Sequence, residues 1–315
     1  MLSSMLLVTE KVGILFLMIA VGYICSRTRM ITSRGASQMT SLLMYVVCPC
    51  LIVSSFQIDS GEVGIKEVGI AFLIATIGQV LSILLSFVVF RRKEEMRRRL
   101  LQFAVAYSNC GFMGLPLAQA VLGDKGVIYA SVYIVVFNVF VWTHGYMTMS
   151  GGARGNLVRK LLLNPGIIGM AIGLPLFILH IHLPDLIGST ISSFSNLNTP
   201  LSMVIIGTYV AKVAPRDFFS DPDVYITAFF RLIAAPLIFL GVIFVLSRFV
   251  VIDANILITC VILASAPSAG NTVLFSAMFG GDARTGSKLV AVSTLLSIVT
   301  MPVFTAFAQT VSSLE

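Results

Sequence analysis

Ser108-Asn109-Cys110-Gly111-Phe112-Met113-Gly114-Leu115-Pro116 interrupts an apolar run where a membrane helix should continue unbroken. Ser265-Ala266-Pro267-Ser268-Ala269-Gly270-Asn271-Thr272 does the same in the second half of the chain. Glycine leaves the backbone unrestrained and proline removes a hydrogen-bond donor, so such stretches break a helical ladder. Each break falls in the fourth of five hydrophobic segments in its half. Paired breaks at corresponding positions of two halves are the best sequence pointer to a binding site in a membrane carrier.

Composition sets the same frame. The 315 residues are 57% hydrophobic and 11% charged, with mean hydropathy +0.98. No soluble core of this size needs that excess, and the expected class is an all-α polytopic membrane protein. Val12 to Cys25 resembles a signal peptide in length. Glu10 and Lys11 precede it, however, no small-residue cleavage site follows, and nine further apolar runs come after. It is read as a retained first helix. The five cysteines all lie in apolar runs, without zinc or haem spacing. Cys48-Pro49-Cys50 reads as two small residues flanking a kink. No cofactor or metal site is expected, and the net charge of +7 does not indicate nucleic acid, because the basic residues are scattered among loops.

Ten runs can cross a bilayer: 6–26, 36–57, 68–90, 100–121, 126–149, 164–183, 187–211, 223–247, 255–279 and 287–311. Each covers a hydrocarbon layer of about 30 Å at helical rise. Loops one, three, five, seven and nine hold Arg27 to Arg34, Arg91 to Arg99, Arg154 to Lys160, Lys212 with Arg216, and Arg284 with Lys288. That is sixteen of the 21 basic residues. Lys11, Lys66, Lys125 and Arg248 lie opposite, and Arg231 falls inside a span. The positive-inside rule puts both termini outside a multi-pass chain in the cell's inner (plasma) membrane. Five spans per half invert the second half, giving repeats over 1–150 and 161–315. Pro49 with Pro200 and Pro116 with Pro267 are each 151 residues apart; Gly123-Asp124 and Gly281-Asp282 are 158 apart. A small insertion reconciles the two registers.

Asn109 to Pro116 with Gly123, Asn138 to Gly145 with Trp142, and Asn164-Pro165-Gly166-Ile167-Ile168-Gly169 carry a family resemblance. Thr199-Pro200 before Gly207, Ala266-Pro267 to Asn271, Gly281-Asp282 and Ser293 to Pro302 extend it over nearly the whole chain. The sequence resembles the auxin efflux carrier family, in the bacterial permease branch that includes malate-, malonate- and auxin-type carriers. The resemblance implies a fold similar to sodium/proton antiporters and, more distantly, bile acid symporters. It implies a scaffold of about 1–60 and 161–213, and a transport domain of about 64–150 and 220–315. Broken helices four and nine would cross near mid-membrane, and a homodimer would form through the scaffold. The long cytoplasmic loop of plant members is absent.

Broken helices free backbone amides, and a half-helix N-terminus carries partial positive charge, which suits an anion. Asn109 and Asn271 would offer side-chain amides there, and Ser108, Ser268 and Thr272 hydroxyls. The alternative is that these groups only satisfy backbone freed at the breaks. Gly111, Gly114, Pro116, Pro267 and Gly270 shape the crossover. All fourteen acidic residues lie in loops or at span ends, so no mid-membrane carboxylate is available for ion exchange. Sodium coupling through carbonyls and hydroxyls is disfavoured but stays open. Arg231 is read either as an electrostatic lure for a carboxylate or as a side chain snorkelling to the surface. His144 is a packed polar residue or a proton carrier. Asn164-Pro165 is a helix cap. Gly169 and Gly173 spell a close-packing motif, used within the scaffold or across a dimer.

The expected function is a secondary carrier of small organic carboxylates working by alternating access, most simply as an efflux uniporter in the lipid bilayer. A sodium- or proton-coupled symporter is the rival within transport. A membrane receptor or enzyme is the rival outside it, disfavoured because the chain has three histidines and no buried acid–base pair.

Overall fold

The computed structural model describes residues 2–57, 64–152, 162–213 and 221–312. Among these, every regular element is helical. Helix α1 is Leu2–Arg27, α2 Ser33–Ser55, α3 Ile65–Val88 and α4 Glu95–Ala106. Cys110–Ser150 follows as one 41-residue helical stretch. Gly123, at φ 62° and ψ −142°, turns it sharply, a conformation that a residue with a Cβ resists. Its arms are α5 (110–122) and α6 (124–150). Then come α7 (Pro165–Ile178), α8 (Asp185–Ser195), α9 (Asn198–Ala211) and α10 (Pro222–Leu246). Helices α11 (Ala254–Ser265), α12 (Asn271–Met278) and α13 (Ala283–Ser312) complete the described chain.

Among the described residues, five helical stretches are long and apolar enough to cross a membrane: α2, α3, the α5–α6 stretch, α10 and α13. Val12–Arg27, Pro165–Ile178 and Ala254–Ser265 are apolar but shorter. Large apolar side chains stand outward on these helices, among them Leu17, Phe72, Phe244 and Val299. Water would penalise that surface and lipid would not, so the protein is a membrane-embedded multi-pass protein.

Among the described residues, four turns widen by one residue: Leu43–Val47, Cys110–Gly114, Val141–Gly145 and Phe230–Ala234. All but Val141–Gly145 end two residues before a proline: Pro49, Pro116 or Pro236. Proline lacks a donor and its ring collides with the carbonyl four residues back; the wider turn makes room for both. The expected kink at Pro49 takes this form. The expected seventh run is likewise divided, into α8 and α9 at Asn196–Leu197. The sixth is shorter than expected: α7 ends at Ile178, and His180 has φ 54°.

Glycines set the closest approaches. A Cβ on Gly22 would collide with the Val204 backbone, and one on Gly207 with the Ile19 carbonyl, so α1 and α9 touch main chain to main chain. Gly169 and Gly173 of α7 press on Pro49, Ile52 and Val53 of α2 and on Phe56 just beyond it. The close-packing motif is therefore used within the chain and does not face outward to a second copy.

Pro267 lies in the second break itself, whereas Pro116 sits in the helix after the first break. Ser108 and Ser268 are the residues brought together. Gly123 and Gly280 both have positive φ. The topological charges Arg154, Arg159, Lys160 and Arg216 lie outside the described residues, as do Asp59, Glu62, Asp217 and Glu315.

Candidate functional site at the helix crossing

The two breaks meet. Asn109 N–H donates to the Pro267 carbonyl at 2.6 Å, and Ala269 N–H donates to the Tyr107 carbonyl at 2.9 Å. These bonds form an antiparallel bridge centred on Ser108 and Ser268. Four half-helix ends converge there: the C-termini of α4 and α11, and the N-termini of α5 and α12.

The carbonyl ends are satisfied by side chains from elsewhere. In α4, Ala104 O accepts from Ser268 Oγ at 3.0 Å, Val105 O from Arg231 Nη1 at 3.0 Å and Ala106 O from Gln79 Nε2 at 3.0 Å. Arg231 Nη2 also donates to Ala264 O at the end of α11. Arg231 is 1% exposed, so it neither snorkels to a surface nor lines a cavity. It joins two negative helix ends with one planar cation. The turn widened ahead of Pro236 carries it.

The amide ends face open space. A cavity of about 300 Å³ is lined by Asn109, Gly111 and Phe112 beside α5 and by Gly270, Asn271 and Val273 beside α12. It continues past Asn138, Asn164 and Tyr209 to Ser33 and Lys212 at the ends of α2 and α9. Among the described lining residues Lys212 is the one charged side chain. Its ammonium lies 5.5 Å from the Tyr209 ring centre, where the π face favours a cation.

The sequence-nominated residues divide. Asn109 and Ser108 are buried and line the cavity; Asn271 lines it half-buried. Gly111 and Gly270 also line it, with little around a notional Cβ, and Gly114 packs on Leu263 of α11. Ser268 is fully buried and bonded to Ala104, with its own N–H donating to Ser293 Oγ at 3.1 Å. Thr272 is fully buried, does not line the cavity and has no partner for its hydroxyl among the described residues. His144 Nδ1 lies 2.8 Å from the Tyr107 hydroxyl, one hydrogen bond away from the crossing but not in the cavity. Asn164 caps α7 as expected, its Oδ1 accepting from Gly166 N–H at 2.9 Å and Ile167 N–H at 3.2 Å, and also lines the cavity.

Sequence reasoning missed Asn138, Tyr209 and Lys212 as lining residues. Asn138 was detectable as a lone amide within an apolar run. Lys212 carried only a topological signal, because its place at the mouth depends on how α9 packs.

A membrane-embedded helical protein whose broken helices cross beside a cavity of small-molecule size is a membrane transporter in layout. The chain belongs to the family described as "Membrane transport protein", whose model matches residues 7–158 and 154–305. It is 26% identical over 302 residues to an uncharacterized transporter of Methanothermobacter thermautotrophicus, covering 94% of this chain and 97% of the relative. It is 23% identical over 310 residues to a protein of Rhizobium meliloti named "Putative malonate transporter", covering 94% and 92%. An uncharacterized transporter of Methanocaldococcus jannaschii is 21% identical over 303 residues, covering 92% and 95%. The auxin-efflux-carrier-type resemblance is thus upheld at family level, and the family is one of transporters, not enzymes.

Proposed function

We propose that the protein is a secondary carrier of small organic carboxylates, built as ten spans in two inverted five-helix repeats and working by alternating access. One observation carries the reading. The negative ends of the crossing helices are occupied by Arg231, Gln79 and Ser268, while the positive ends of α5 and α12 share a cavity with Lys212. Such a site favours an anion without an uncompensated buried cation. Asn109 and Asn271 add amide donors for carboxylate oxygens. The name of the Rhizobium meliloti relative supports a small dicarboxylate.

With its basic loops inside, the cavity opens to the cytoplasm. An inside-negative potential then drives an anion outward by about 2.3 kcal/mol per charge per 100 mV. This is roughly a fifty-fold gradient for a monovalent acid, so export needs no coupling ion. A second reading, sodium coupling, is favoured by the buried hydroxyls of Thr272 and Ser276 on α12, which have no partner among the described residues.

The test is flux in proteoliposomes with the membrane potential clamped, using malate, malonate, lactate and indole acetate. Voltage-responsive flux of at least one, unchanged by removing sodium or the pH gradient, supports uniport. Flux that requires sodium favours the second reading. Absence of flux for all four contradicts carboxylate transport.

A further inference from the structure

A second cavity, of about 770 Å³, lies on the other side of the same helices. Gln57, Gln119, Asp124, His182 and Asp185 line it, together with a hydroxyl-rich face of α8 that includes Ser192. These residues sit at or beside the loops that alternate with the basic ones, so this cavity faces away from Ser33 and Lys212.

The wall between the two cavities is thin. On α2, Met44 and Cys48 line the first cavity and Leu51 and Ser55 the second. Cys48 and Leu51 are three residues apart, about 4.5 Å along a helix. On α6, Val127 lines the second cavity and Ile134 the first, about 10 Å apart. Between them, Ser55 Oγ and Ser131 Oγ lie 3.2 Å apart, buried. Each hydroxyl is also within donating distance of a carbonyl in its own helix: Ser55 of Ile52 O at 2.7 Å, Ser131 of Val127 O at 2.8 Å. A serine has one proton to give. If either bridges to the other, it must release its own carbonyl, so the link is cheap to break. Leu51, which lines the second cavity, is buried and apolar, and adds bulk on the α2 side of this wall.

We propose that the second cavity is the outer vestibule of the same substrate route, and that Leu51, Ser55 and Ser131 form the seal closing it in this conformation. The two ends of the route differ in charge. The inner cavity carries Lys212 and no carboxylate among its described lining residues; the vestibule carries Asp124 and Asp185 and no lysine or arginine among its own. An anion is drawn in at one end and held weakly at the other, which suits release. The proposal rests on the reading of the protein as a carrier. Its test needs no substrate, so it can fail separately from the choice of carboxylate.

In a background with the five native cysteines replaced, Gln119→Cys and Met44→Cys are probed in right-side-out vesicles with a membrane-impermeant methanethiosulfonate. Mass spectrometry resolves the labelled positions. The proposal expects fast labelling at position 119 and slower labelling at position 44. Adding Ser55→Cys with Ser131→Cys and oxidising the pair should cut labelling at position 44 at least tenfold, leave position 119 unchanged, and reverse with dithiothreitol. No labelling at position 119, no labelling at position 44, or labelling at position 44 unaffected by the cross-link would each overturn it.

Discussion

Arg231 shows how far a single side chain can reach beyond its sequence neighbourhood. It lies nine residues into α10, yet its partners are Val105 of α4 and Ala264 of α11. No local pattern encodes that geometry, which is why the sequence leaves only a lure or a snorkelling cation as readings. Arg231→Met strands two buried carbonyls and should cost roughly 3 kcal/mol, read as a lower midpoint of thermal unfolding in detergent. Arg231→Lys should recover only part of that, because an ammonium does not present a planar fork to two acceptors. Equal stability of all three proteins would rule out the capping role. Lys212 acts at the cavity's mouth. With unit charges about 6 Å apart in water the interaction is worth ~0.7 kcal/mol, so Lys212→Gln should raise KM for an anion about threefold with little change in kcat. The difference should shrink at high salt.

At the scale of elements, the breaks were legible because glycine, proline and small polar residues cluster where apolar helix should run. The direction each half-helix end faces was not, since it depends on long-range pairing: Ser108 meets Ser268 from 160 residues away. Three of the four widened turns had a readable signal, a proline inside an apolar run, at Pro49, Pro116 and Pro236; the turn at Val141–Gly145 had none. Asp282 was legible only as a repeat marker beside Gly281. It caps α13, its Oδ1 accepting from Arg284 N–H at 2.9 Å and Thr285 N–H at 3.1 Å, its Oδ2 from Thr285 Oγ1 at 2.5 Å. Burial alone would raise its pKa, but these bonds and the nearby Lys288 charge outweigh it and hold the carboxyl below its ordinary range. A depressed pKa means the cap stabilises above the ordinary carboxylate value of about 4 and fades as pH falls below it. Asp282→Ala should therefore cost about 1 kcal/mol at pH 7, and the gap from the parent protein should close on acidification below pH ~4. A gap that widens with acid would refute this assignment.

For the molecule as a whole, membrane class and transport were legible from hydropathy and the paired breaks, because both are carried by composition over long windows. The cavity's outline was not, because Lys212, Tyr209 and Asn138 reach it from three helices. The charge contrast between the two cavities makes a kinetic statement. At zero voltage a carrier cannot favour one direction at equal concentrations, so kcat/KM must match from both sides. Weaker binding outside then appears as a higher outer KM with a proportionally higher kcat. Asp124→Asn with Asp185→Asn should lower the outer KM two- to fourfold, on the order of 0.4–0.8 kcal/mol, with the inner KM little changed; an unchanged outer KM would contradict the polarity. The central claim, that a carboxylate sits where the breaks cross, is tested most directly by equilibrium binding of radiolabelled malate, malonate, lactate and indole acetate to the purified protein. The parent protein and an Asn109→Ala, Asn271→Ala double variant of matched thermal stability are compared. Saturable binding of at least one acid to the parent, lost in the variant, is the predicted result; binding of equal affinity in both, or to neither, would contradict it.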